Sequence, residues 1–197
     1  MSLWSLICVR ESLVSQPAFG SRPRAVVALV AVSLLALLAP AASASTHRPP
    51  KPGRVAVSGQ IAHRRVLSFG DLRSLPQHTV TVTFTSGQGQ QRHTFTGPLL
   101  LDVANALHPR FDPAVKNDQL RFFVAATAAA DGYRAVVSWA EIDPGFAGTR
   151  VLLAVTEDGV SLAETGPRLV VPGDDKGGRY VSGVTHLYIG SVDRLIR

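Results

Sequence analysis

Two arginines bracket a glycine-rich loop near the end of the chain. From Gly166 to Val181 the residues run Gly-Pro-Arg-Leu-Val-Val-Pro-Gly-Asp-Asp-Lys-Gly-Gly-Arg-Tyr-Val. Leu169, Val170 and Val171 predict a short buried strand, which Pro172 and Gly173 stop. Arg168 and Arg179 then place a guanidinium fork at each end of a turn. That spacing suits bidentate hydrogen bonding to a phosphate-bearing or other anionic ligand. The competing role for Arg168 is a strand-end arginine paired with Asp174 or Asp175. Gly177 and Gly178 either let backbone approach a ligand or simply make the turn. Asp131-Gly132-Tyr133 reads as an Asp-Gly turn beside a half-buried tyrosine.

Other chemistries find little support. His47, His63, His78, His93, His108 and His186 are scattered, without the H-E-x-x-H or H-x-x-x-H spacing of a zinc helix. His186 falls in an alternating segment and reads as a solvent-side or hydrogen-bonded histidine. There is no G-x-S-x-G elbow and no P-loop. Asp174 and Asp175 are adjacent, so on a turn their carboxylates point apart, and no further acids follow at calcium-loop spacing.

These residues must be positioned by many strands and few short helices. Arg54–Val57 and Arg65–Phe69 read as strands, and Gly70–Leu75 as a short helix ended by Pro76. From Thr79 to Thr85, Val80, Val82 and Phe84 alternate with four threonines, the clearest period-two pattern in the chain. Gly87-Gln88-Gly89 turns that strand back into Arg92–Thr96. Pro98 suits the first turn of a helix carrying Leu99, Leu100, Val103, Ala104 and Leu107. Leu120–Ala126, Tyr133–Val137, Val151–Val155, Val160–Leu162 and Val184–Ile189 supply further strands. Ser138-Trp139-Ala140-Glu141 has capping-box form, and Glu157-Asp158-Gly159 is a tight turn. With no regular βαβ alternation, the class is a β-rich α+β domain with mixed sheets.

The first 44 residues predict export. Arg22 and Arg24 precede the apolar run Ala25–Leu38, and Ala42-Ser43-Ala44 offers a cleavage site after Ala44. The run falls short of the ~20 residues a spanning helix needs. The expectation is a cleaved signal peptide over 1–44 and a periplasmic or secreted protein with no membrane span. Ser45–Gly53, with three prolines and two cations, is a Pro-rich linker, and 54–197 is the folded domain. Cleavage leaves 153 residues carrying 17 basic and 13 acidic side chains, a net +4. That mild charge, with no basic cluster interleaved with aromatics, argues against nucleic-acid binding. Cleavage also removes Cys8, the only cysteine, and with it any disulfide or thiolate ligand.

The Gly166–Val181 run resembles the C-terminal signature of the sulfite oxidase-like molybdopterin-binding domain, in which a Pro-x-Arg-apolar-apolar-apolar-Pro-Gly run precedes a basic loop. Gly97-Pro98-Leu99 with Leu101-Asp102-Val103, Asp131-Gly132-Tyr133, the Trp139–Ile142 segment and the hairpin from Leu152 to Leu162 are similar to other pieces of the family, in the same order. The likeness runs from about Val55 to Val192. It implies that fold, and implies cofactor contacts for Arg168, Arg179, Tyr180, Val181, Asp131 and Tyr133, with Arg168 reaching the pterin phosphate. The departures bear on activity. The family's metal-binding cysteine falls after the strand that here ends Phe84-Thr85-Ser86. Its histidine before the signature falls near Glu164 or Thr165, and its closing lysine is replaced by Ser182. A hydroxyl does not replace a thiolate as a soft, charged metal donor. Arg22-Pro23-Arg24 is also not the twin-arginine pair of proteins exported already loaded with cofactor. The expectation is a module binding a small anionic ligand or a protein partner, with no cofactor and no metal. The alternative is a molybdopterin-dependent oxidoreductase that binds its pterin without a cysteine ligand.

Overall fold

A computed structural model describes residues 53–194 of the chain. The signal peptide, its cleavage site and nearly all of the linker expected from the sequence lie outside the described residues. So does Cys8.

The period-two segment folds as predicted. β3 (His78–Ser86) and β4 (Gly89–Gly97) pair antiparallel from His78–Gly97 to Ser86–Gly89. Val82 and Phe84 are buried, while Thr79, Thr81, Thr83 and Thr85 face outward. Cross-strand hydroxyls meet at 2.9 Å in both Thr79–Thr96 and Thr81–Thr94. Such pairs steady a solvent-facing hairpin by tenths of a kcal/mol each, roughly 0.2–1 kcal/mol. β4 then pairs with β8 (Thr156–Glu157), and β8 turns into β9 (Val160–Ser161). Asp158 and Gly159 make that two-residue turn with φ of 50° and 80°, the left-handed pair a type I′ hairpin needs.

A second, five-stranded sheet forms the rest of the frame. Its order is β2 (Arg65–Ser68), β1 (Arg54–Gly59), β11 (Val184–Ser191), β5 (Phe122–Ala128), β6 (Arg134–Ser138). β1 and β11, from the two ends of the domain, pair parallel; the other pairs are antiparallel. The inner face buries Val55, Val57, Val124, Val137, Leu187 and Ile189 against α1 (Phe69–Ser74) and α2 (Leu100–Asn105). Full burial of each such side chain contributes about 1.5–3 kcal/mol. A two-stranded piece, β7 (Leu152–Ala154) with β10 (Arg168–Val170), completes the strands. Val82, Phe84, Phe95, Leu152, Ala154, Val170 and Tyr180 form a second core where the hairpin meets that piece. Gly97 permits this approach: a Cβ there would lie 2.5 Å from Leu153 O and 2.6 Å from Ala154 Cα.

Two local expectations shift and a third holds. α2 starts at Leu100 with Leu99 at its cap, so Pro98 lies outside the first turn. The Pro98–Leu99 backbone is used instead against β7, where Leu153 N–H donates to Pro98 O at 3.0 Å and Leu99 bridges Leu152. Leu120 is not in a strand. It is 37% exposed on a 3₁₀ turn, Asp118–Arg121, and β5 begins two residues later. The buried Asp118 carboxylate fixes this turn by accepting from Asp112 N–H and from the Arg121 guanidinium. Finally, Ser138 and Glu141 do close a capping box at α3 (Trp139–Ile142). Among the described residues no helix is long and apolar enough to cross a membrane.

Candidate functional site

The outer end of β3 and the loop after β10 meet at a cleft of about 600 Å³ lined by Phe84, Thr85, Ser86, Gly87, Arg168, Lys176, Gly177 and Gly178. Backbone stitches the two walls together. Thr85 N–H donates to Asp175 O at 2.8 Å, and Thr85 bridges Lys176 in parallel sense. Gly177 opens a 3₁₀ turn, Gly177–Arg179, tight against the Phe84 ring; a Cβ there would stand 3.0 Å from a ring carbon. Gly177 therefore serves close packing as well as the turn. Thr85, Gly87, Lys176 and Gly178 are exposed, and no ion pair of the Lys176 side chain occurs among the described residues.

Arg168 reaches this cleft because β10 pairs with β7. Its partner is neither Asp174 nor Asp175. Arg168 Nη1 donates to both Glu157 oxygens at 2.9 Å, with 19% and 20% of the two side chains exposed. The guanidinium lies 5.4 Å from the centre of the Phe95 ring, a cation–π placement. Glu157 also stands 3.5 Å from His93 Nδ1, which contacts Asp158 at 2.7 Å. The Arg168 charge is thus largely balanced within the protein. Its Nε–H, however, is buried with no acceptor.

Arg179 does not line the cleft. Its Nε and Nη2 donate to the two Asp174 oxygens at 2.8 and 2.6 Å, and Nη1 donates to Glu141 at 2.7 Å. Asp174, then Glu141, hold the guanidinium charged well beyond its ordinary range. Burial by itself would raise the Glu141 carboxyl. Hydrogen bonds from Arg179 and from Ser138 outweigh it and hold that carboxyl below the usual range. Arg179 therefore clamps the loop to α3, and the two arginines do not converge on one ligand.

Tyr180 stacks on Phe84, with ring centres 4.2 Å apart, and its hydroxyl is buried without a partner. Burial, and then the Asp174 charge, push its pKa up. Val181 is a core residue whose carbonyl accepts from Leu169 N–H at 2.9 Å. Asp131 caps its own turn by accepting from Tyr133 N–H at 2.9 Å. Tyr133 is half exposed and donates its hydroxyl to Gly178 O at 2.7 Å, tying the β5–β6 turn to the cleft loop. Of the six predicted residues, Arg168 lines the cleft, Tyr133 and Tyr180 support its walls, and Arg179 anchors its loop. Asp131 and Val181 stand further back.

Sequence reasoning passed over Lys176, Ser86 and Glu157 as members of this group. Lys176 was legible as the loop's own lysine. Glu157 was not, because its pairing depends on β8 lying beside β4.

No known family profile matches the sequence, and no curated protein matches it. Among solved structures, the chain is similar to the crystal structure of the sulfane dehydrogenase SoxCD from Paracoccus pantotrophus. The TM-score is 0.56 at 21% identity, covering 70% of this chain and 38% of that chain. The protein thus spans well under half the length of the chain it resembles. Its β-rich mixed sheets and short helices have the sulfite oxidase-like fold.

Proposed function

We propose that the protein is an exported binding module whose β3–β10 cleft takes a small anion. One observation carries this reading: two buried donors, Arg168 Nε–H and Tyr180 Oη–H, have no acceptor. Arg168 lines the cleft and Tyr180 stacks beneath Phe84, which also lines it. An orphaned buried donor costs about 1–3 kcal/mol, and a ligand rich in acceptor oxygens repays that cost. Lys176 adds an ammonium at the rim, and the Ser86 and Thr85 hydroxyls add neutral hydrogen-bonding groups.

A thiolate-anchored molybdenum centre does not fit these residues. Thr85 and Ser86 line the cleft at the end of the strand after which the resembled family's cysteine falls, and a neutral hydroxyl is a poor donor to a high-valent metal. Among the described residues no three His, Cys, Asp or Glu side chains come together as metal ligands. The fold likeness favours one second reading, an oxidoreductase holding a pterin without that ligand. Protein made in a molybdopterin-competent host separates the two: copurifying molybdenum or a fluorescent pterin product supports the enzyme. Calorimetric titration with inorganic sulfate and phosphate tests the module. The expected result is saturable binding that Lys176→Ala weakens by about three- to tenfold, the worth of one partly exposed charge-assisted contact. Binding indifferent to both Lys176→Ala and Arg168→Met overturns it.

A further inference from the structure

The outward face of the five-stranded sheet is written differently from the outward face of the hairpin. Where β3 and β4 meet solvent, the chain places threonines. Where the larger sheet does so, the register gives one row of Val66, Ala56, His186, Thr127 and Arg134, and a second of Ser58, Tyr188, Ala125 and Val136. Phe123 and Gly190 follow in a third. A solvated antiparallel face is normally polar, yet Val66 and Val136 here are each 51% exposed. Phe123 and Tyr188 lie beside one another with ring centres 6.0 Å apart. The Tyr188 ring also lies close over Gly190, where a Cβ would stand 2.3 Å from a ring carbon. The aromatic pair is thereby laid across the sheet.

Two polar side chains inside this face already meet one another. Ser58 Oγ and His186 Nε2 are 2.7 Å apart, so covering them strands neither. Charge sits only at the margins. Arg54 and Arg134 are exposed at opposite borders, and Arg64 and Arg65 line a cleft of about 370 Å³ with Ala56, Ser58, Val66 and His186. No residue of the three rows is acidic. A second copy would set arginine against arginine, which like-charge repulsion disfavours.

We propose that this face docks a different protein, one presenting an apolar centre flanked by carboxylates. The apolar centre would supply the buried area and the arginine margin the orientation and rate of encounter. The test places a photo-crosslinking residue at position 136, or at position 81 on the threonine face, in the full chain expressed in its own cell. Position 136 is expected to trap one protein, identified by mass spectrometry, and position 81 to trap none. Purified, that protein should bind with affinity that falls as salt rises. Val136→Asp and Arg134→Glu should each weaken binding by about tenfold. Arg134→Glu alters only an exposed side chain and so remains informative if Val136→Asp fails to fold. Equal trapping at both positions, adducts with the chain itself, no adduct at 136, or binding indifferent to salt and to Arg134→Glu overturns the proposal. So does recruitment to phosphatidylglycerol vesicles that the same substitution abolishes, because it assigns the face to a membrane.

Discussion

Replacing Arg168 by Met, Glu157 by Gln, and both together measures how far the cleft's arginine is already committed. Two opposite charges about 4 Å apart attract by ~4 kcal/mol at an effective dielectric of about 20. The groups are only 19% and 20% exposed, so part of that attraction is offset by lost hydration. A coupling of about 1–2 kcal/mol remains, above the ~0.5 kcal/mol of a fully exposed pair. Arg168→Met also removes the cation–π contact with Phe95 and leaves Glu157 without its cation. Its total cost is about 2–3 kcal/mol, or a fall of roughly 5–10 °C in Tm for a domain of this size. Glu157→Gln costs about 1 kcal/mol, since the amide still accepts one hydrogen bond. The double variant should be more stable than the sum of the two losses implies. Urea denaturation followed by circular dichroism, with calorimetric Tm values, reads all four corners of the cycle. The same set has a functional arm. Glu157→Gln removes the charge that neutralises Arg168, so sulfate should bind about three- to tenfold more tightly. Losses that add within ~0.5 kcal/mol, together with unchanged or weaker sulfate binding, would falsify the idea that Glu157 holds Arg168 in check.

Tyr180→Phe deletes a buried hydroxyl that has no partner, so it should stabilise the free protein by about 0.5–1 kcal/mol while weakening sulfate binding; a less stable variant with unchanged affinity contradicts this. Gly97→Ala forces a methyl against the β7 backbone and should cost about 2–3 kcal/mol, read as a lower denaturation midpoint. Glu141 and Asp118 are both held below the ordinary carboxylate range when folded, each because its hydrogen bonds outweigh burial. Depressed folded pKa values give stability that is complete above the unfolded pKa, about 4, and lost as pH falls through the folded values. Tm should therefore be level near pH 6 and decline below about pH 4, less steeply in Glu141→Gln. A Tm that rises on acidification is the contrary outcome.

Local pattern carried the hairpin and the capping box. Val82 and Phe84 alternate with threonines whatever else the chain does, and Ser138 with Glu141 needs only three residues of separation. What depended on distant pairing was hidden. β1 and β11 join parallel across the whole domain, and nothing near Val55 or Leu187 announces it. Leu120 read as strand because its neighbours are apolar, yet the Asp118 carboxylate holds it in a 3₁₀ turn. The Gly166–Val181 run identified the fold correctly. Its arginines still misled, because Glu157 and Glu141 meet them only after β8 joins β4 and α3 packs beside the loop. A capping residue that also receives an arginine shows only its first task in sequence.

The anion cleft is tested most directly by following backbone amide resonances of isotope-labelled domain during titration with inorganic sulfate. The expected result is saturable movement concentrated at Thr85–Gly87 and Lys176–Gly178 and at the Arg168 Nε–H, with Thr79, Thr81 and Thr94 of the hairpin still. Saturable movement centred elsewhere, or none at these residues, contradicts an anion-binding cleft between β3 and β10.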